Sequence, residues 1–152
     1  MMRYISPMRL ALVLALLAAT PLHAWEFSAT PICTLTHATQ DTIVRVTYDP
    51  RVPEYAIRLT RTAAAWPDAP VFALRFDGPR GHTISTTRHR LSEGGTTLTL
   101  TVTDTGFGNV LDGLELTDTA TALIGTAQVA VPLSDAATAV RAFRTCTEAG
   151  LA

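Results

Sequence analysis

Apolar and polar residues alternate along the middle of the chain in four segments. The clearest case is residues 97–103, where three apolar side chains alternate with four threonines. Alternation with a period of two, in segments rich in Thr and Val, is typical of strands buried on one face. The other segments with this pattern are residues 43–48, 55–61 and 72–76. Short stretches with Pro or Gly separate the segments, and connections of that length predict antiparallel pairing.

The pattern changes in the last third of the chain. Apolar segments on either side of Gly125 predict a hairpin with strands at 119–124 and 126–133. Before them, residues 109–116 are compatible with a short helix or with an irregular segment. A final helix is predicted to begin with Ser134 as its N-cap, because apolar residues recur at helical spacing after it. The apolar stripe of this helix consists of Ala136, Val140, Phe143 and Cys146.

The first 24 residues differ in character from the rest. Arg3 and Arg9 form a positive leader, and an apolar run occupies residues 10–19. Residues 20–24 then break the run and end in a small residue suited to cleavage. An apolar run of this length is too short for a permanent membrane span, which needs about 20 residues. We therefore predict a cleavable signal peptide at 1–24, with an uncleaved N-terminal anchor as the alternative.

The remaining residues, 25–152, contain no repeat, linker or low-complexity stretch. We predict that they form a single mainly β domain, either an antiparallel sandwich or an open barrel, with a C-terminal helix tethered by a disulfide. Export of this domain would make it periplasmic or secreted, with no membrane span after signal cleavage.

The charge of the exported part argues against nucleic acid as a partner. The chain has 12 basic and 13 acidic residues, and Arg3 and Arg9 belong to the predicted leader, so the remainder has a formal charge of −3. Binding to nucleic acid by counterion release requires a basic face. The partner predicted from the sequence is instead an unidentified protein or small ligand, and the oligomeric state is left open.

The chain has two cysteines, Cys33 and Cys146. In a small exported domain such a pair is more often a disulfide than a catalytic thiol. A thiol nucleophile would also need a base, and His37, His82 and His89 show no recognisable relation to either cysteine. We therefore predict a disulfide that closes a loop of more than a hundred residues. A loop of that length restricts the unfolded chain by about 4.7 kcal/mol in the chain-entropy model.

Residues 79–90 hold an unusual concentration of cationic and imidazole side chains. The candidate ligand-binding residues here are Arg80, His82, Arg88 and Arg90. Arginine binds carboxylates and other anions bidentately, and imidazole adds a charge that depends on pH. On one continuous strand, His82, Arg88 and Arg90 would share a face. The alternative, which we favour from the sequence, is the solvated face of an edge strand, where charges oppose aggregation.

The other polar and aromatic groups do not form a recognisable catalytic, cofactor or metal motif. Residues 106–109 lack the glycine spacing and the Lys-Ser/Thr pair of a phosphate loop, so we predict a tight turn with Phe107 packed inside. Trp25, Trp66 and Tyr55 are either a carbohydrate platform or core residues, and core packing is the preferred interpretation. No cofactor is predicted, since the histidines lack a third ligand and the acids do not match a calcium loop.

Five segments together resemble a group of small exported alphaproteobacterial proteins with no established activity. The segments are residues 25–27, 31–37, 46–50, 106–114 and 142–146. Members of this group sometimes carry the label of an excinuclease component, but this chain has neither a Walker A loop nor helicase motifs, so the resemblance implies no such activity. The strand and tethered helix at the C-terminus are also similar in architecture to invasion-associated locus B proteins, and this similarity implies no functional site.

Two hypotheses for function follow. The first is an exported, non-enzymatic binding or accessory module of the bacterial envelope that uses its surface strands to contact a protein or small ligand. The second is a small periplasmic hydrolase or other enzyme whose site is not visible as a motif. A cleft in which His37, His82 or His89 meets an acid and a hydroxyl would favour the enzyme. An exposed apolar patch would favour the binding module.

Overall fold

The computed structural model describes residues 24–92 and 98–150. Residues 1–23 of the predicted signal peptide lie outside these ranges, as does Thr97 at the start of the fourth predicted strand. The described residues form ten strands and two helices. In chain order these are β1 Glu26–Ser28, β2 Cys33–Ala38, β3 Thr42–Asp49, β4 Glu54–Arg61, β5 Phe72–Asp77, β6 His82–Thr86, β7 Arg90–Leu91, β8 Thr99–Asp104, α1 Gly108–Leu116, β9 Thr119–Ile124, β10 Ala127–Pro132 and α2 Ala136–Gly150.

The strands form two antiparallel sheets. The six-stranded sheet has the order β1-β2-β3-β4-β8-β7, and the four-stranded sheet has the order β10-β9-β5-β6. The structure therefore confirms the mainly β fold predicted from the alternating segments, and of the two predicted arrangements it adopts the sandwich. The five predicted strands at β3, β4, β5, β9 and β10 agree with the observed bounds to within one residue at each end.

The alternation along each strand determines which side chains enter the core. In β3, Val44 and Val46 are at most 2 % exposed. Ile43, which precedes Val44, and Arg45, which lies between the two valines, face solvent. The inward residues of the other strands meet them from both sheets and form one apolar cluster. Burial of apolar surface stabilises by about 25 cal/mol per Å². The cluster is therefore the main source of the free energy of folding.

Helix α1 packs against α2 and contacts β6 and β9, and it confirms the helical one of the two alternatives predicted for residues 109–116. It follows Phe107, which is 4 % exposed, so the predicted packing of this phenylalanine is confirmed. Gly113 brings the helix backbone against the ring of Phe76, since a Cβ atom placed on Gly113 would overlap that ring. The Thr117 hydroxyl donates a hydrogen bond of 2.7 Å to the Gly113 carbonyl and closes the last turn.

Helix α2 packs on β1 and β2, and a disulfide joins it to β2. It begins at Ala136, so Asp135 rather than the predicted Ser134 lies directly before the helix, with a φ of 63°. The predicted disulfide is present, with Cα atoms of Cys33 and Cys146 5.9 Å apart and a sequence separation of 113. This Cα distance lies within the range of about 4.4–6.8 Å that a disulfide requires. In the described part of the chain, neither helix combines the length and apolar character needed to cross a membrane.

Candidate functional site

A cavity of about 430 Å³ opens between the two sheets at one edge of the sandwich. The opening follows from the strand order, because β6 is the edge of the four-stranded sheet and β7 is the edge of the six-stranded sheet. Strand β7 is two residues long and pairs only with Leu100 and Thr101 of β8. The following residues of β8, Val102–Asp104, therefore have no strand beside them on that side among the described residues, and the interior is reached there.

The walls of the cavity are apolar. Strands β4 and β8 supply Ile57 and Val102 from one sheet, and strands β5 and β6 supply Leu74 and Ile84 from the other. Period-two alternation directs these side chains inward, and Ile57 and Leu74 are nearly fully buried at the inner end. The remaining apolar wall residues are Phe72, Phe107 and Val110. A cavity with these walls suits a ligand whose body is hydrocarbon or aromatic.

The mouth of the cavity is polar and contains an ion pair. Arg88 follows β6 and Asp104 ends β8, and their side chains approach to 3.6 Å between Nη2 and Oδ2. The side chains of Arg88 and Asp104 are 78 % and 46 % exposed, so water screens the pair and its contribution to stability is small. Other polar groups at the mouth come from Ser85, Thr86 and Asn109. Arg88 can therefore turn towards an incoming anion at little energetic cost.

The structure separates the four residues predicted as an anion site. Arg80 and His82 lie together at a shallow depression that Asn109 and Asp112 also line. Arg88 lies at the mouth of the larger cavity, and Arg90 belongs to β7 in the other sheet. The four side chains therefore do not form one site.

The expectation that His82, Arg88 and Arg90 share one face of a continuous strand was wrong. Strand β6 ends at Thr86, whose hydroxyl accepts a hydrogen bond of 3.0 Å from the Arg88 backbone N–H. Such a local bond from a threonine side chain favours a turn over a continued ladder. The chain then leaves the four-stranded sheet and enters β7 of the six-stranded sheet.

Each of the three histidines contacts a backbone carbonyl or another ring of the fold. In His82, Nε2 and Nδ1 lie 3.0 and 3.1 Å from the carbonyl oxygens of Asn109 and Arg80, so the ring joins β6 to α1. His89 contacts the Ala69 carbonyl through Nε2 at 3.0 Å. His37 is buried and stacks on Trp25 with ring centroids 4.8 Å apart. None of the three lines the cavity.

The aromatic residues considered as a carbohydrate platform belong to the core. Trp25 and Trp66 are 5 % and 2 % exposed, and each indole N–H donates to a backbone carbonyl. The half-buried Tyr55 ring packs on the rings of Tyr48 and Phe107. Core packing, the preferred interpretation from the sequence, is confirmed. Over the ranges that the structure describes, no group of three or more His, Cys, Asp or Glu side chains is arranged to hold a metal ion.

Comparisons with protein-family models, with curated proteins and with solved structures gave no match for this chain.

The sequence pattern did not reveal the cavity. Of its wall residues, Ile57, Leu74 and Val102 occupy inward positions of predicted strands, and such positions fill the core in most sandwiches. Phe107 was predicted to pack at a turn, and no inward-facing strand was predicted at Ile84. The opening depends on how short β7 is and on which strands lie at the two edges. Of the groups at the mouth, Arg88 was a candidate ligand-binding residue, with a solvated strand face as the favoured alternative, whereas Asp104 was not a candidate.

Proposed function

We propose that this chain is an exported, non-catalytic binding module that takes a small molecule with an apolar body and an anionic group. The main support for this proposal is the cavity between the two sheets. Its volume of about 430 Å³ falls within the range of about 300–1,000 Å³ that is common for small-molecule sites. The body of the ligand would lie against Ile57, Leu74, Ile84 and Val102, with its charged group at the mouth.

The proposal of an anionic group depends on Arg88, because the mouth contains one cation and one carboxylate, Arg88 and Asp104. The Arg88 guanidinium offers several N–H donors in a planar fork, which suits a carboxylate. Its present partner, Asp104, is itself a carboxylate, and a ligand carboxylate can take the same place. Because the Arg88–Asp104 pair is exposed, replacing Asp104 by a ligand carboxylate as the partner of Arg88 costs little free energy.

The disulfide and the leader support an exported location. A structural disulfide between Cys33 and Cys146 persists in an oxidising compartment such as the periplasm or the cell exterior. The leader predicted at 1–24 would deliver the chain there. The alternative of a small hydrolase has less support, because none of His37, His82 and His89 lines the cavity.

The test uses octanoate, hexanoate and octanol as probes, with binding followed by isothermal titration calorimetry. Each CH₂ group that enters an apolar site contributes about 0.8 kcal/mol, so hexanoate should bind about 15-fold more weakly than octanoate. Octanol has the same chain without the charge and should bind more weakly than octanoate. The R88Q variant should weaken octanoate binding about 5- to 10-fold while leaving octanol binding within about twofold.

A second pair of variants tests the location of the apolar body. Val102→Phe fills the cavity and should abolish octanoate binding. The matched control is Val71→Phe, because Val71 is an exposed valine outside the cavity. Thermal unfolding of both variants establishes that they are folded. Equal octanoate binding by V102F and V71F, both folded, would refute the proposed site.

A further inference from the structure

Three arginines form a row across the outer face of the six-stranded sheet. The strand register places Arg45 opposite Arg58, Arg58 opposite Thr101, and Thr101 opposite Arg90. These side chains share the face opposite to the core, because their neighbours along each strand point inward. All three arginines are exposed. Neighbouring strands are about 4.8 Å apart, so the row extends about 14 Å from β3 to β7.

The ion pairs of the described residues leave out this row. Within the described part of the chain, none of the three arginines takes part in an ion pair. Arg58 donates a long hydrogen bond of 3.4 Å to the Thr47 hydroxyl. Arg45 and Arg58 are directly opposite each other in the register. Like charges in that position on a sheet lower its stability. Residues that lower the stability of the fold at their own position are expected at functional surfaces.

Acids also lie on this face among the described residues. Glu26 of β1 is in the same cross-strand row as Arg45, with Thr36 of β2 between them, and Asp49 and Glu54 lie at the end of β3 and β4, beside Arg45 and Arg58. Asp49 is opposite Glu54 in the register, four residues along β3 from Arg45. The Arg51 side chain donates hydrogen bonds of 3.0 and 2.9 Å to the Asp49 carboxylate, which lowers the pKa of that carboxyl. Asp49 is therefore already paired with Arg51, and its charge is not directed at Arg45.

Threonines surround the arginine row on the same face. The register places Thr34, Thr47 and Thr103 in the row on one side, and Thr60 and Thr99 in the row on the other. A hydroxyl both donates and accepts hydrogen bonds, which is also the bonding capacity of a sugar hydroxyl. The face therefore combines donors for carboxylates with partners for neutral hydroxyl groups.

We infer that this face binds an acidic polysaccharide, a polymer that carries carboxylates at intervals and hydroxyl groups between them. The carboxylates would be bound by Arg45, Arg58 and Arg90, and the hydroxyl groups by the flanking threonines. Single-stranded nucleic acid is a poorer fit, because the face lacks the aromatic side chains on which bases stack. An added peptide strand is also excluded here, since strand addition needs a sheet edge rather than a face.

This surface is independent of the cavity. The cavity takes the inward residues Ile57 and Val102, whereas Arg58 and Thr101 are their outward neighbours on the same strands. The V102F variant should therefore bind an acidic polysaccharide as the unaltered protein does. If no ligand binds in the cavity, the inference about the outer face is unaffected. If no acidic polysaccharide binds the outer face, the proposal for the cavity is likewise unaffected.

The experiment titrates the disulfide-bonded protein with oligomers of polygalacturonate, with dextran as the neutral polymer, and follows backbone amide signals by NMR. The R45Q/R58Q variant should lose at least tenfold in affinity for polygalacturonate. The matched control is R75Q/R141Q, which removes the same charge from exposed arginines on other surfaces. It should change the affinity by less than twofold. Dextran should bind at least tenfold more weakly than polygalacturonate.

A second readout separates lost binding from lost structure. Because R45Q/R58Q removes a like-charge pair, its unfolding temperature should equal or exceed that of the unaltered protein. The inference is overturned if the two double variants lose affinity equally, or if polygalacturonate does not bind. It is also overturned if duplex DNA or inorganic polyphosphate binds the unaltered protein as tightly as polygalacturonate, because recognition would then be of charge alone.

Discussion

At the scale of single residues, Gly113 shows how one missing side chain determines where an element packs. Glycine inside a helix destabilises it by about 1 kcal/mol relative to alanine, so its presence in α1 needs a reason. The reason is the Phe76 ring, which occupies the place where a Cβ atom would lie. The same ring is 5.0 Å from the His82 ring, and His82 bonds back to α1 through the Asn109 carbonyl. One glycine therefore permits the close contact between α1, β5 and β6.

Replacement of Gly113 by alanine should destabilise the protein, although the same change stabilises an isolated helix. We expect a loss of about 1–3 kcal/mol in the free energy of unfolding, which is the usual effect of overpacking. Urea denaturation followed by circular dichroism measures it. The matched control is Gly108→Ala at the start of α1, where a Cβ atom would meet open space. G108A should not lower stability, and a G113A variant as stable as the parent would contradict this account of the contact.

The arginines show that the sequence did not indicate which of them are neighbours in the folded protein. Arg90 was grouped with Arg80, His82 and Arg88 because they are close in sequence. The structure instead groups Arg90 with Arg45 and Arg58, through pairings of β3, β4, β8 and β7. Periodicity shows which face of its own strand a residue occupies. The neighbour across strands depends on register, and register follows from contacts that are distant in sequence.

At the scale of elements, five strands were predicted almost to the residue, whereas the segment with the clearest alternation, residues 97–103, corresponds to β8 at Thr99–Asp104. Strands β3, β4, β5, β9 and β10 each combine buried apolar positions with flanking turn residues. Strand β6 has half-buried inward positions, because it lies at a sheet edge, and its end depends on one hydrogen bond to the Thr86 hydroxyl. Helix α1 was left open between two alternatives, since its apolar residues are few and its position depends on Phe76.

The disulfide gives a prediction about the joining of two elements. Changing Cys33 or Cys146 to serine should lower the free energy of unfolding by about 2–5 kcal/mol, because the bond restricts the unfolded chain over a long loop. The double variant should be about as unstable as either single one, since each change removes the same bond. Urea denaturation of all three variants measures this. A loss below about 1 kcal/mol in the single variants would contradict a major stabilising role.

At the scale of the whole molecule, the fold class could be predicted and the candidate site could not. Two cysteines, alternating strands and a final apolar helix stripe were enough to indicate a mainly β domain with a tethered helix. The cavity arises from the order of strands in two sheets, which places the two-residue β7 beside a longer β8. No local pattern encodes that order. Arg88 was anticipated through its charge, whereas its position at a cavity mouth is a property of the assembled sandwich.

The whole molecule thus presents two surfaces of different chemistry. The six-stranded sheet contributes its inward residues to an apolar cavity and its outward residues to a row of arginines and threonines. Alternation along the strand makes this separation possible, because adjacent residues face opposite sides. The proposed function requires that the cavity hold the apolar body of a ligand.

The most direct test of that claim is an NMR measurement of contacts between octanoate and methyl-labelled isoleucine, leucine and valine side chains. At saturating octanoate, nuclear Overhauser effects should connect its methylene protons to the methyl groups of Ile57, Leu74, Ile84 and Val102, which line the cavity. The exposed methyl groups of Ile43 should show none. Effects confined to exposed methyl groups, or absent from all four cavity residues, would contradict the account.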